Sequence, residues 1–172
     1  MYLQDLISRL GEYAKDIKLN LGMVLSEEGS PDLERNQIFG IALASAYATK
    51  NAELIDAILG EAQLPEAEIN AAKAAATVMA MNNVYYRFTH LVSDKEIGKL
   101  PAKLRMNVIG APGIAKVDFE LYSLAVSAMN GCGMCMDAHV HEVVKAGISR
   151  QGVQSCVRIA SVLSAAAQAL VI

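Results

Sequence analysis

Apolar residues recur at three- and four-residue intervals along almost the whole of this 172-residue chain, and alanine supplies many of them. That spacing marks one face of an α-helix. Leu3, Leu6, Ile7, Leu10 and Ala14 form a stripe that Ile17 and Leu21 continue, so the opening segment is predicted to be helical. Aromatic residues make up only 5% of the chain and Trp is absent, which suits close helix packing better than a β-rich core. No segment reads as a strand. The expected fold class is all-α, in a single compact domain over 1–172.

The punctuation between stripes gives approximate boundaries. Ser30-Pro31-Asp32 offers an N-cap, a preset first-turn φ and an early acid, predicting a second helix from there to about Thr49. Asn51 can cap a short helix through Leu54, Ile55, Ile58 and Leu59, with Gly60 as its left-handed stop. Pro65 opens an Ala-rich helix that reaches past Met79. Ser93 and Glu96 have capping-box spacing, and Pro101 with Gly110-Ala111-Pro112-Gly113 predicts short turns and loops over residues 98–117. From Asp118 a stripe of Leu121, Leu124, Ala125 and Ala128 marks a helix that Asn130-Gly131 interrupts. Another follows through Val140, Val143 and Val144 to Gly147, and Ser149 caps a last helix to Leu170. Leu43-Ala44-Ser45-Ala46 and Ala125-Val126-Ser127-Ala128 occupy similar places in helices of the two halves, as an internal helical repeat would place them.

Composition removes several function classes. With 53% hydrophobic and 19% charged residues, the chain is far from the composition that keeps a protein disordered. Its net charge is −3 and no run of Lys or Arg appears, so nucleic acid is not an expected partner. The most apolar stretch, Ile159 to Ile172, is shorter than the roughly 20 residues that span a bilayer and is interrupted by Ser161, Ser164 and Gln168, so no membrane partner is expected. Met1-Tyr2-Leu3-Gln4-Asp5 lacks the basic and apolar regions of a secretion signal, and the expected location is the cytoplasm. Of the three cysteines, Cys132 and Cys135 are close; in a reducing compartment such a pair is redox-active or metal-binding rather than structural.

Cys132-Gly133-Met134-Cys135 followed by His139 is the one group whose residue types and spacing together imply a reaction. Positions i, i+3 and i+7 share a helix face, so both sulfurs and the imidazole can converge. A thiol at a helix start meets unsatisfied N–H groups and the positive dipole end, which favour thiolate over thiol. The second cysteine can then resolve a sulfenic acid or mixed disulfide. Two other readings exist. Two cysteines three apart on an apolar face also occur as core packing. Zinc could take Cys132, Cys135, His139 and His141, but His141 lies about 200° around the helix from His139, against a common site. A thioredoxin-like fold lacks its βαβ pattern here. Glu120, twelve residues before Cys132, reads alone as a solvated acid of a first helical turn or as the carboxylate that orients His139. His141, His90 and Cys156 read as packing or surface residues, Asn82 and Asn83 as capping or interhelix bonds, and the eight Met as scattered gap-fillers.

Glu12–Leu21 (EYAKDIKLNL), Met81–Arg87 (MNNVYYR), Leu104–Ile109 (LRMNVI) and Pro112–Cys135 resemble the alkyl hydroperoxidase D (AhpD) family of the carboxymuconolactone decarboxylase-like superfamily. The family's Glu, CxxC and His match Glu120, Cys132, Cys135 and His139. The resemblance implies an all-α AhpD-like domain with a repeated helical core, commonly a homotrimer. It implies reduction of organic hydroperoxides through a redox-active Cys132–Cys135 disulfide with no bound cofactor or metal. Electrons would come from a lipoylated protein and ultimately from NADH, and a peroxiredoxin is a further implied partner.

By the same resemblance Cys135 attacks peroxide, Cys132 resolves, His139 takes the Cys135 proton and Glu120 holds His139. Many family members carry His directly before the second cysteine; here that residue is Met134, and a thioether cannot transfer a proton. The relay is then expected to depend on Glu120 and His139 alone, with peroxide turnover weaker than thiol exchange. A competing expectation is a redox adaptor that passes electrons from a lipoyl domain to a separate peroxiredoxin. A more distant one is a decarboxylase-like lyase, which would not need two cysteines.

Overall fold

A computed structural model describes residues 3–172; the reading of Met1 and Tyr2 as part of a leaderless start lies outside them. Nine α-helices and two short 3₁₀ turns, Glu12–Ala14 and Ile97–Lys99, account for the regular structure among the described residues, with no strand. The helices are α1 (Leu3–Arg9), α2 (Lys15–Val24), α3 (Arg35–Thr49), α4 (Ala52–Ala62), α5 (Glu66–Leu91), the single turn α6 (Asn107–Gly110), α7 (Lys116–Met129), α8 (Gly133–Lys145) and α9 (Arg150–Ala169). The all-α expectation holds. No described helix is long and apolar enough to cross a membrane.

The centre is α3 and α7. Ile38 through Ala46 are all buried on α3, and Phe119 through Ser127 on α7, so each is covered on every side rather than along one stripe. Small residues make that approach feasible: Gly40, Ala42, Ala44, Ser45 and Ala46 are among the buried run of α3. The two segments that resemble each other in sequence lie on these helices. α5 and α9 pack against both, α2 lies on α9, and α8 lies against α7 and α5.

Gly40 shows how tight the centre is. A Cβ there would fall 2.0 Å from the hydroxyl and 2.1 Å from Cζ of Tyr122. Tyr122 is fully buried and donates its hydroxyl to Glu68 of α5 at 2.5 Å, so one side chain crosses from α7 past α3 to α5. Burial first, and then Glu68, pushes the phenol above its ordinary range, and it remains a donor.

Several boundaries differ from the sequence reading. The opening stripe is not one helix: it breaks after Arg9, a short 3₁₀ turn covers Glu12–Ala14, and α2 restarts at Lys15. The second helix begins at Arg35 rather than at Ser30-Pro31-Asp32. Its cap is Glu34, paired with Gln37 in a capping box. The earlier polar groups are engaged elsewhere. Ser30 donates to the Val24 carbonyl, Asp32 has φ 64° and accepts from Ser149, and the Pro31 carbonyl accepts from Ser155. That loop is stitched to α2 and α9 instead of starting α3. Gly60 lies inside α4, whose left-handed end is Gln63 at φ 48°. Ser93 and Glu96 make no capping box, because Glu96 pairs with Lys99 and its N–H donates to Asp94. Asn51, Pro65 and Ser149 stand at the starts expected of them.

Gly40→Ala is expected to lower stability by about 2 kcal/mol or more, since Tyr122 is fully buried and bonded to Glu68 where the new methyl would fall. Urea unfolding measures it, and a wild-type midpoint would show that α3 and α7 have room to separate.

Candidate functional site: a disulfide beside a buried carboxylate–imidazole pair

The turn between α7 and α8 places the sulfurs. Gly131 has φ 67°, Cys132 N–H bonds back to the Ser127 carbonyl at 3.1 Å and Gly131 N–H to Ala128 at 3.2 Å, the paired bonds of a Schellman C-cap. Asn130-Gly131 therefore ends α7 as well as interrupting the chain. Cys132 then serves at once as the N-cap of α8, its Sγ accepting from Cys135 N–H at 3.4 Å. The two cysteines form a disulfide with their Cα atoms 5.3 Å apart. Their exposures differ: Cys132 is 0% and Cys135 7% exposed.

One turn further along α8, His139 meets Glu120. His139 Nδ1 lies 2.6 Å from Glu120 Oε2, and both side chains are buried. The solvated reading of Glu120 is thus replaced by its alternative: the carboxylate holds the imidazole. Nε2 faces Met79 Sδ at 3.3 Å. With Nδ1–H given to the carboxylate, Nε2 carries a second proton only in the imidazolium, which donates to sulfur; the neutral ring leaves a lone pair there. Lys116 completes the electrostatics. Its ammonium is 4.0 Å from Glu120 Oε1 and 3.3 Å from Glu142 Oε2, and it holds the Glu142 carboxyl below the usual range.

These groups border a cavity of about 330 Å³. Cys135, His139, Glu120 and Glu142 supply its polar groups, while Met79, Tyr86, Met106, Ile109 and Met134 give it apolar walls. Met134 is 42% exposed at this site. The structure therefore brings Glu120, Cys132, Cys135 and His139 together. His141 is exposed beside Val144 and Arg150 and does not join them. Among the described residues no cluster of three or more His, Cys, Asp or Glu is arranged to hold a metal ion. Cys156 is a core thiol, donating to the Leu121 carbonyl at 3.3 Å and pushed up by burial.

Sequence reasoning missed part of the surroundings. The methionines are not all scattered gap-fillers, since Met79, Met106 and Met134 meet at one cavity. No spacing signals that. Asn83 makes the interhelix bonds expected of it, donating to Ser127 and accepting from Asn130. Asn82 contributes its backbone carbonyl, 4.0 Å from Cys135 Sγ, while its buried side-chain Oδ1 has no hydrogen-bond partner among the described residues.

Removing the imidazole leaves the buried Glu120 carboxylate without its hydrogen-bond partner. His139→Leu is expected to destabilise the reduced protein by about 3 kcal/mol, and adding Glu120→Gln to recover part of that loss. Urea unfolding of both variants checks the pair; a double variant no more stable than His139→Leu would refute the electrostatic account.

The model of the carboxymuconolactone decarboxylase family matches residues 95–171, which include all four site residues. Alkyl hydroperoxide reductase AhpD of Coxiella burnetii (strain RSA 493 / Nine Mile phase I) is 57% identical over 99% of this chain and 97% of its own. The protein of that name from Rhodospirillum centenum is 51% identical, covering 99% of this chain and 91% of its own. That of Brucella suis is 49% identical, covering 99% and 97%. With identity at this level over nearly its whole length, the chain belongs to the AhpD family.

Proposed function

We propose that this protein is a single-domain antioxidant enzyme that reduces organic hydroperoxides through a Cys132–Cys135 dithiol/disulfide cycle. One observation carries the reading. Cys135 borders the largely apolar cavity together with His139, whereas Cys132 is sealed, so a small peroxide reaches one sulfur and not the other. The relatives' names, alkyl hydroperoxide reductase, support the same chemistry.

In the reduced protein the Cys135 proton passes by way of a water in the cavity to His139 Nε2, the nitrogen not given to Glu120, and Glu120 stabilises the imidazolium. The thiolate attacks the terminal peroxide oxygen, the O–O bond breaks, and the alkoxide takes the proton from His139 and leaves as alcohol. Cys135 is now a sulfenic acid. Cys132 attacks its sulfur, the disulfide forms, and the hydroxyl leaves with the Cys132 proton as water. The apolar walls favour an alkyl or aryl tail over hydrogen peroxide. The electron donor is a dihydrolipoyl group, whose thiol–disulfide exchange would begin at Cys135, the sulfur with the greater exposure. The working form is a homotrimer in the cytoplasm.

Stopped-flow oxidation of the pre-reduced protein tests this. Loss of free thiol is expected to be at least about tenfold faster with cumene hydroperoxide than with hydrogen peroxide, to vanish in Cys135→Ser, and to halt at a trappable sulfenic acid in Cys132→Ser. If peroxide reacts no faster than with a simple thiol while a dihydrolipoyl domain reduces the disulfide rapidly, the protein is an electron-transfer adaptor. Met134→His turning over no faster than wild type would show that this residue does not limit the rate.

A further inference from the structure

A second cavity, of about 630 Å³, opens on a different face of α5, against the end of α3 and the end of α7. No residue lines both this cavity and the one beside the thiols. Its charge is one-sided. Lys50, Lys73 and Arg87 line it, no Asp or Glu does, and among the described residues none of the three has a carboxylate within ion-pair distance. In a chain with 18 acids against 15 Lys and Arg, composition alone does not produce such a cluster. The like charges repel one another, and a bound anion relieves that repulsion.

The remaining lining defines the rest of a ligand. Ala76, Ala80, Val84 and Val126 offer walls that can hold only an apolar body. Tyr47 also borders the cavity, its hydroxyl bonded to no other described residue, and partial burial holds the phenol above its ordinary range, so it remains a donor. At the floor Asn83 and Asn130 are bonded to each other at 3.0 Å, which fixes their amides in place. The volume lies within the roughly 300–1,000 Å³ usual for small-molecule sites, favouring a small ligand over a protein segment.

We propose that this cavity binds a small organic anion, a carboxylate borne on an apolar body, with the carboxylate held by Lys73, Arg87 and Lys50 and the body against Ala76, Ala80 and Val84. Titration calorimetry of the full-length protein with octanoate, 1-octanol and inorganic phosphate tests it. Octanoate is expected to bind once per chain, and to weaken about tenfold or more in Lys73→Gln and in Arg87→Gln, whose exposed side chains can change without unfolding the chain. Arg87→Lys should retain most of the binding. Octanoate should also protect Lys73 from acetylation, read by mass spectrometry.

Octanol binding as well as octanoate would overturn the anionic part, and phosphate binding as well would overturn the apolar part. No octanoate binding at 10 mM, a concentration about tenfold above a weak millimolar affinity, would overturn the site altogether. So would Lys73 protection that depends on protein concentration and not on octanoate, which would assign this face to a second copy of the chain.

Discussion

A carboxylate in an apolar interior must be paired or it is expelled, and that requirement ties the site to the fold. Glu120 sits on α7 between Phe119 and Leu121, both fully buried, and cannot turn to water without unpacking the centre of the molecule. His139 is the group that answers it, 2.6 Å away on α8. Lys116 is one turn before Glu120 on the same helix, more exposed and more distant, and lies closer to Glu142. The rim carboxylate thus engages the lysine, and the buried one is left to the imidazole. Packing and site chemistry are here the same interaction seen from two helices.

The second constraint is the turn of Asn130, Gly131 and Cys132. It closes α7 and opens α8 within three residues, which fixes where the first sulfur stands relative to Glu120 upstream and His139 downstream. Only the left-handed Gly131 lets Cys132 donate its N–H to the end of one helix while its sulfur caps the start of the next. Asn83 on α5 steadies the same turn through Asn130 and Ser127. A helix-start cysteine is placed by backbone bonds, and those bonds leave little slack for its partner three residues on.

How much of this the sequence discloses depends on whether a feature is local. Asn51, Pro65 and Ser149 cap helices where they stand because a cap needs only its own first turn. Ser30-Pro31-Asp32 has the same local chemistry but serves distant partners on α9, and no window of sequence contains both sides of that choice. The approach of Gly40 to Tyr122 is likewise invisible, since the residues are 82 apart in a sequence whose periodicity reports only which way each helix faces. At the site, Cys132, Cys135 and His139 are legible from helical spacing. Glu120 is not: a lone Glu near a helix start reads as solvated until the whole of α7 is known to be buried, and only the family resemblance singled it out. Met79, Met106 and Met134 come from separate segments, and no window of sequence contains all three.

The unequal burial of the two sulfurs follows from their helical addresses. An N-cap side chain folds back over the first turn to accept from its N–H groups, and the preceding C-cap turn covers it from the other side, so Cys132 is enclosed from both directions. Cys135, a full residue set into the first turn, projects from the cylinder toward α5, where Asn82 and Tyr86 leave it an edge on the cavity. The cap contact also bears on charge. In the proposed cycle an incoming thiol opens the disulfide at Cys135 and Cys132 is the sulfur that leaves, its departing charge met by the backbone N–H it caps at the positive end of α8. In that cycle the sealed sulfur leaves and resolves, while the accessible one, on the cavity with His139, attacks peroxide and exchanges partners. One short turn thereby separates the two roles that the proposed cycle requires of chemically identical side chains.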